Sequence, residues 1–256
     1  MSYVDTHCHV DLYSHYAAVL HEAEAHKVYT IAVTNTPSVF RKMHELARGT
    51  MYVRAAIGLH PELAVERERE IAIFESVLPE TRYVGEVGLD FRRATASSRD
   101  VQRRVFARVL HACASAGGKI LTIHSRGAEK EVIDLVSGSS PGVAILHWFS
   151  GSTTNLERGV AAGAYFSVNH AMCDSASGRR IIEKIPRDRL LTESDGPFVS
   201  VGQNSVRPGD IGILVRRIAE LRGEPSTTLQ DMIFTNFREI LRRVPGQPSD
   251  ESGVGS

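Results

Sequence analysis

Short apolar runs recur along the chain, and each is separated from the next by a stretch with helical spacing of its apolar residues. The runs are rich in Val, Ile and Leu and show little polar alternation, which is typical of strands buried on both faces of a parallel sheet. This pattern predicts eight strands, at residues 3–6, 30–36, 52–59, 82–89, 119–124, 143–149, 164–169 and 189–195.

Helices are predicted between these strands and after the last one. Glycines and prolines stand just before several strands, for example at Gly117-Gly118 and Pro141-Gly142, where helix C-caps and turns belong. Alternation of eight strands with helices in 256 residues favours a (β/α)8 TIM barrel over an open doubly wound sheet. The predicted helices cover residues 14–27, 65–78, 98–116, 128–136, 155–162, 210–222 and 229–243.

The domain organisation is simple. No internal repeat or second core is visible, so residues 1–244 are predicted to form one domain. Residues 245–256 are rich in Pro, Gly and Ser and are predicted to be a disordered tail.

The charge balance limits how the protein binds a polyanion. Lys and Arg total 30, as do Asp and Glu, so the formal net charge is zero. A protein of this kind is not a general polycation that binds nucleic acid through overall charge. A polyanionic substrate must therefore be held by local arginines or by metal ions.

The cysteines and the N-terminus bear on the compartment. The three cysteines are odd in number and widely spaced, without a C-x-x-C pair, which argues against a disulfide framework. The chain starts without a basic region or an apolar signal core, and it has no stretch of about 18 apolar residues. We expect a soluble cytoplasmic protein without membrane association.

The candidate chemistry lies where the predicted strands end. His7 and His9 flank Cys8, and residues two apart in an extended chain point to the same side. The carboxyl ends of barrel strands meet at one rim, where active sites of this fold are built. A lone histidine or an isolated H-x-H is weak evidence, but several such residues at one rim favour a shared metal site. The candidate ligands are His7, His9, Glu86, His124, His147 and Asp195.

Six short motifs follow one another in a fixed order. Together they resemble the TatD family of metal-dependent deoxyribonucleases, which belongs to the amidohydrolase superfamily. The resemblance covers residues 3 to about 243. The motifs are His7-Cys8-His9, Gly58-Leu59-His60-Pro61, Gly85-Glu86-Val87-Gly88-Leu89-Asp90, His124-Ser125-Arg126, His147-Trp148-Phe149-Ser150-Gly151 and Glu193-Ser194-Asp195-Gly196-Pro197.

The resemblance implies two divalent metal ions. In the family pattern, one metal is bound by His7, His9, Glu86 and Asp195, and Glu86 bridges to a second metal. The second metal is also bound by His124 and His147. Mg or Mn is expected from the family, and the imidazole ligands also suit Zn or Ni.

Charge and shape give the expected reaction. Two divalent cations less the charges of Glu86 and Asp195 leave about two positive charges, which suits a phosphodiester and its transition state. Asp195 is the candidate to orient the attacking water and accept its proton. The expected substrate is DNA, cut preferentially at single-stranded ends, because a site on a barrel rim is deep and narrow. Substrate contacts are predicted for His60 and Arg126, against the alternatives of strand-end packing and of a salt bridge at a helix start.

Several positions depart from the common family pattern. Trp148 stands where a Cys is frequent, and core filling is the favoured interpretation for Trp148 and Phe149 over base stacking. The loop after Phe198 lacks the usual Arg-Asn-x-Pro element, which leaves substrate choice open. The combination of motifs is most similar to the TatD-like nuclease of Qat anti-phage defence operons, which implies protein partners from such an operon.

Two rival functions remain at this level. One is an amidohydrolase acting on a cyclic amide, a lactone or a small phosphoester; many of these bridge their metals with a carboxylated Lys, whereas this chain has Glu86. The other is a non-catalytic scaffold subunit of a defence complex. Six intact candidate ligands argue against a scaffold, which has no need of them.

Overall fold

A computed structural model describes residues 2–244 of the chain. Eight short strands succeed one another along the chain, and those paired with each other run parallel. They are β1 (Tyr3–Cys8), β2 (Val28–Val33), β3 (Val53–Ala56), β4 (Tyr83–Gly88), β5 (Lys119–His124), β6 (Gly142–Leu146), β7 (Tyr165–Val168) and β8 (Leu190–Thr192). A small hairpin of β9 (Ser200–Val201) and β10 (Asn204–Ser205) follows β8.

Helices connect the strands and extend beyond β8. They are α1 (Tyr16–Ala25), α2 (Pro37–Arg48), α3 (Ala64–Arg67), α4 (Ile71–Val77), α5 (Ala96–Ser115), α6 (Glu129–Ser139), α7 (Thr153–Ala161), α8 (His170–Asp174), α9 (Ala176–Lys184), α10 (Ile211–Arg222) and α11 (Ser226–Arg243). Short 3-10 turns precede or follow several of them. No described helix is both long enough and apolar enough to cross a bilayer.

The strands close into a barrel. Strands β1 to β3 and β4 to β8 form two ladders, which a parallel bridge between Ile57 and Val84 joins. At the other seam, the Asp195 N–H donates to the His7 carbonyl at 2.8 Å, and the Thr6 hydroxyl donates to the Thr192 carbonyl at 3.2 Å. The predicted TIM barrel is confirmed.

The hydrophobic core lies between the barrel and its surrounding helices. Every residue of β4, β7 and β8 is buried, as expected for strands covered on both faces. Helix α2 shows how the outer layer packs, because its buried residues Pro37, Phe40, Met43 and Ala47 repeat at helical spacing. Cys8, Cys113 and Cys173 are all buried, and none of them forms a disulfide.

Six of the eight observed strands are shorter than predicted, β5 has the predicted bounds, and β1 extends two residues further than predicted. Three helices had no predicted counterpart. The missed helices are α2, α8 and α9. Strand β6 ends at Leu146 and β8 at Thr192, so the residues that follow belong to turns rather than to strands. The predicted tail, residues 245–256, lies outside the described residues, and the domain boundary at residue 244 stays a prediction.

Candidate metal centre and its cleft

The end of β1 supplies two imidazoles to one point at the carboxyl rim of the barrel. The Nε2 atoms of His7 and His9 lie 3.2 Å apart, while Cys8 between them is buried in the core. A hydrogen bond of 2.7 Å between His7 Nδ1 and the Thr122 hydroxyl fixes the first ring. The alternation expected for an H-x-H at a strand end is therefore present.

Asp195 reaches the same point from a turn beyond β8. Its backbone has a left-handed φ of 47°, a conformation that costs on the order of 1–3 kcal/mol for a residue with a side chain. The Asp5 carboxylate holds this turn by accepting from the Ser194 N–H at 2.9 Å. Asp195 Oδ1 lies 3.7 Å from Nε2 of both His7 and His9. Strain at this position is the kind found where function requires a fixed geometry.

Glu86 lies at the centre of the cluster and divides its two oxygens between two groups of histidines. Its Oε2 is 3.4 Å from His7 Nε2 and 3.2 Å from His9 Nε2. Its Oε1 is 2.7 Å from His124 Nδ1 and 2.8 Å from His147 Nε2. The Glu86 carboxylate thus faces both halves of the centre, the His9 half with His7 and His9 and the His147 half with His124 and His147.

Two glycines allow the backbone of Glu86 to enter this crowded place. A Cβ on Gly85 would lie 2.1 Å from Thr122 Cγ2, and a Cβ on Gly58 would lie 2.3 Å from the Glu86 nitrogen. No real side chain fits at such distances. The glycines of two sequence motifs are therefore explained by close packing around the bridging carboxylate.

Two buried carboxylates that sequence reasoning did not assign lie behind His124 and His147, the second group of histidines. Asp90 Oδ2 lies 2.8 Å from His124 Nε2, which orients the ring so that Nδ1 faces Glu86. Glu193 Oε1 lies 3.8 Å from His147 Nδ1, and the Asn169 amide donates to it at 3.0 Å. Carboxylates behind ligand histidines commonly fix their orientation. Both residues belong to the quoted motifs, and their positions four residues after Glu86 and two before Asp195 were the available signal.

His60 lies close to Glu86 and is part of the cluster, rather than only packing at the end of a strand. Its Nε2 is 3.4 Å from Glu86 Oε1, and it also approaches His124 closely enough to share one candidate metal-binding group with it. The distance to Glu86 is longer than those of His124 and His147. His60 is therefore a fifth imidazole of the cluster. It lies beside His124 and His147 and lines the cleft.

Burial and mutual charge set the protonation of the cluster. Burial, followed by the charge of His147, holds the pKa of His7 well below its usual value, which keeps the ring neutral. Burial opposes ionisation of Glu86, but His60, His147 and His7 outweigh it and hold its pKa well below the usual range. Burial raises the pKa of Asp195 well above its usual value, so a nearby cation favours its ionised form. Neutral imidazoles and ionised carboxylates are the forms that ligate metals.

The donor set fits divalent metal ions. Ring nitrogens and carboxylate oxygens converge around the Glu86 carboxylate, and such mixed ligands suit Mn, Zn and Ni. The described residues include three groups whose ligand atoms lie within 4.8 Å of one another. These groups are His7, His9 and Asp195; His7, His147 and Glu193; and His60, Glu86 and His124.

The cluster forms the floor of a cleft of about 440 Å³, a size usual for small-ligand sites. Arg92 and Arg126 lie on its wall, both exposed. Among residues 2–244, neither guanidinium forms an ion pair with an acidic side chain, so the salt bridge considered for Arg126 does not form. His170, another histidine that follows a strand, is buried beside Arg217 and does not line this cleft.

Two aromatic side chains stand in this cleft. Trp148 is 37% exposed and Phe198 is 60% exposed. The expectation that Trp148 fills the core was wrong, whereas Phe149 is buried as expected. The strand ends two residues before Trp148, and a left-handed φ of 38° at Trp148 turns the chain, so that Trp148 lines the cleft.

The fold and this donor set place the protein among the metal-dependent hydrolases built on a TIM barrel. A model of the TatD related DNase family matches residues 4–242. The chain belongs to this family and is a hydrolase of its deoxyribonuclease type.

Known proteins that are similar to this chain over most of its length agree with its membership of the family. The 3'-5' ssDNA/RNA exonuclease TatD of Escherichia fergusonii is 29% identical over 78% of this chain and 82% of its own length. The metal-dependent hydrolase YabD of Bacillus subtilis is 27% identical over 93% of this chain and 98% of its own. Among solved structures, the Escherichia coli TatD homologue YJJV has a TM-score of 0.81 at 24% identity, covering 93% of this chain and 97% of that one.

Proposed function

We propose that the protein is a nuclease dependent on two divalent metal ions, which hydrolyses phosphodiester bonds at single-stranded ends of DNA. The observation that carries the proposal is the divided carboxylate of Glu86, with Oε2 towards His7 and His9 and Oε1 towards His124 and His147. A bridging carboxylate between two such groups is suited to a binuclear centre. The similarity to an enzyme named as a single-strand exonuclease supports the substrate class.

The proposed ligands form two sets, one on each side of the Glu86 carboxylate. His7, His9 and Asp195 would hold one metal and His124 with His147 the other, and Glu86 would be shared. His60, at 3.4 Å from Glu86 Oε1, would contact the substrate or complete the second group. Metal ions at such a centre supply Lewis acidity, which lowers the pKa of the water nucleophile and neutralises charge that develops on the phosphoryl group.

The chain's own residues perform the remaining tasks. Asp195 would orient the attacking water and accept its proton, since its carboxylate lies at the edge of the cluster and faces both His7 and His9. Arg126 and Arg92 would bind phosphate oxygens, because they line the cleft as exposed guanidinium groups that form no salt bridge within residues 2–244. The scissile phosphate would lie over the buried cluster of histidines and carboxylates, and the cleft walls would contact the rest of the DNA strand.

The metal content is the first expected result. After reconstitution with Mn or Mg, elemental analysis should find close to two metal ions per chain, because the donors form two groups around one bridge. Removal of the metals with a chelator should abolish hydrolysis, and either ion added back should restore it. A stoichiometry near zero with no activity gained on adding Mn or Mg would contradict the site assignment.

The second expected result concerns the form of the substrate. A DNA 3'-overhang should be cut faster than a blunt duplex, and both faster than a closed circular plasmid, because the reactive floor lies at the bottom of a cleft. A duplex would have to distort to place an internal phosphate there, whereas a frayed single strand can enter. The measurement compares initial rates on the three substrates at several salt concentrations.

Salt dependence provides a further control in the same experiment. Since the net charge is zero, binding should depend on few phosphate contacts, and affinity should fall with salt less steeply than for a basic DNA-binding protein. Faster cutting of the closed circle than of the overhang would instead indicate an endonuclease with an open groove.

A role in Qat-type defence, with partners from such an operon, stays a prediction of the sequence resemblance.

A further inference from the structure

Trp148 is held in an unusual conformation for a large aromatic residue. Left-handed φ values are uncommon outside glycine and asparagine, and a bulky side chain there marks a position that its surroundings impose. The backbone N–H of Trp148 donates to Glu193 Oε1 at 3.0 Å, and Glu193 is completely buried, with hydrogen bonds from Asn169 and Ser167. A buried carboxylate with several donors is a rigid anchor for the turn.

This anchor positions the indole beside the metal centre. Trp148 directly follows His147, whose Nε2 lies 2.8 Å from the bridging Glu86 oxygen. The indole lines the cleft and remains 37% exposed. The part of the indole that faces the solvent is therefore available to a ligand in the cleft.

Phe198 provides a second aromatic surface on the other half of the centre. Its ring meets the His9 ring edge to face, with centroids 4.9 Å apart, and its side chain is exposed in the same cleft. Trp148 thus belongs to the His147 half and Phe198 to the His9 half. The guanidinium groups of Arg92 and Arg126 add positive charge to the cleft wall.

We propose that Trp148 stacks on the nucleobase next to the scissile phosphate, with Phe198 as the second stacking surface. This inference rests on the proposed nuclease function and adds what positions its substrate. Aromatic faces accept any base, because every base has a π surface, so stacking holds a single strand without reading its sequence. The requirement that the base be unpaired for stacking also gives a physical reason for preferring single-stranded ends.

Fluorescence tests the stacking directly, because Trp148 is the only tryptophan of the chain. The probe is a single-stranded oligonucleotide with phosphorothioate linkages at its 3' end, which slow cleavage, added to the metal-loaded enzyme. We expect saturable quenching of the indole emission. Replacement of the two 3'-terminal nucleotides by abasic residues should weaken binding about tenfold and remove most of the quenching. Abasic residues in the middle of the strand are the matched control and should change neither.

Kinetics on cleavable strands tests the role of each ring. Trp148→Ala should raise KM for the normal oligonucleotide about tenfold, with a smaller change in kcat, and should remove the preference over the terminally abasic strand. Trp148→Phe should retain most of that preference. Phe198→Ala keeps the fluorescent reporter and should weaken the quenching titration. Ile213→Ala, an exposed apolar change on α10 away from the cleft, is the control for loss of surface area.

The outcomes separate the two proposals. If the wild-type enzyme cuts the strand but Trp148→Ala discriminates between normal and abasic ends as well as the wild type does, the stacking inference is wrong and the nuclease function stands. If the wild type cuts no strand with Mn or Mg, the proposed function fails, and base-dependent quenching alone then decides whether the cleft binds nucleobases. Unchanged emission at saturating oligonucleotide overturns the stacking inference.

Discussion

Glu86→Ala is expected to reduce hydrolysis of single-stranded DNA by at least about 10³-fold and to weaken binding of both metal ions. The reason is that both oxygens of this carboxylate are used, one by each group of histidines, so its removal affects both halves of the centre. The variant also leaves the buried imidazoles of both groups without the carboxylate that lies between them. Rates measured under saturating metal, together with metal content by elemental analysis, provide the check.

Three further variants test whether the effect is specific to the bridging carboxylate. Glu86→Gln keeps the side-chain volume but not the charge, and should lose activity nearly as far. His124→Ala should lower the content of one metal only, because His124 faces only Oε1 of the bridge. Glu66→Ala changes an exposed carboxylate on α3 and controls for loss of a negative charge elsewhere. Near-normal activity of Glu86→Ala would show that the binuclear assignment is wrong.

Much of the candidate site could be predicted because one rule of the fold connects sequence to position. The carboxyl ends of all barrel strands meet at one rim, so residues far apart in sequence become neighbours once the strand ends are located. His124 and His147 needed only this rule, since each ends or directly follows a strand of near-continuous apolar residues. His7 and His9 needed in addition the alternation of an extended chain.

The errors arose where the chain leaves the strand in a conformation that hydrophobic pattern does not encode. Trp148 lies two residues beyond β6 at a left-handed φ, so counting it as part of an extended strand placed it in the core. Asp195 lies in a similar turn three residues beyond β8. Its contact with the cluster depends on two hydrogen bonds at the barrel seam, from the Ser194 N–H to the Asp5 carboxylate and from the Asp195 N–H to the His7 carbonyl. These bonds join the segments around the first and the last barrel strand.

Helix α2 was missed although a signal for it exists. Its buried residues repeat at three- and four-residue intervals, and Pro37 stands at its first position, where proline is favoured. Helix α9 had a weaker signal, because only Gly178, Ile181 and Ile182 are buried in its nine residues. A short helix with few apolar residues is decided by tertiary packing rather than by its own pattern.

Asp195→Asn is expected to lower kcat by about 10²- to 10⁴-fold while KM for single-stranded DNA changes little. The substitution keeps the size of the side chain and one oxygen that can ligate a metal, but it removes the negative charge and the ability to accept a proton. The left-handed backbone at this position tolerates Asn, so the turn that carries it should be retained.

The measurement combines steady-state kinetics, metal content and thermal unfolding. Metal content should stay close to that of the wild type, because His7, His9 and Glu86 remain as donors. Asp188→Asn, an exposed change before β8, controls for the loss of one charge near this part of the chain. If Asp195→Asn turns over at the wild-type rate with its metals bound, Asp195 does not accept the proton. If kcat falls only in proportion to lost metal, Asp195 acts as a ligand alone, and the distinction between ligand and proton acceptor is resolved by the same experiment.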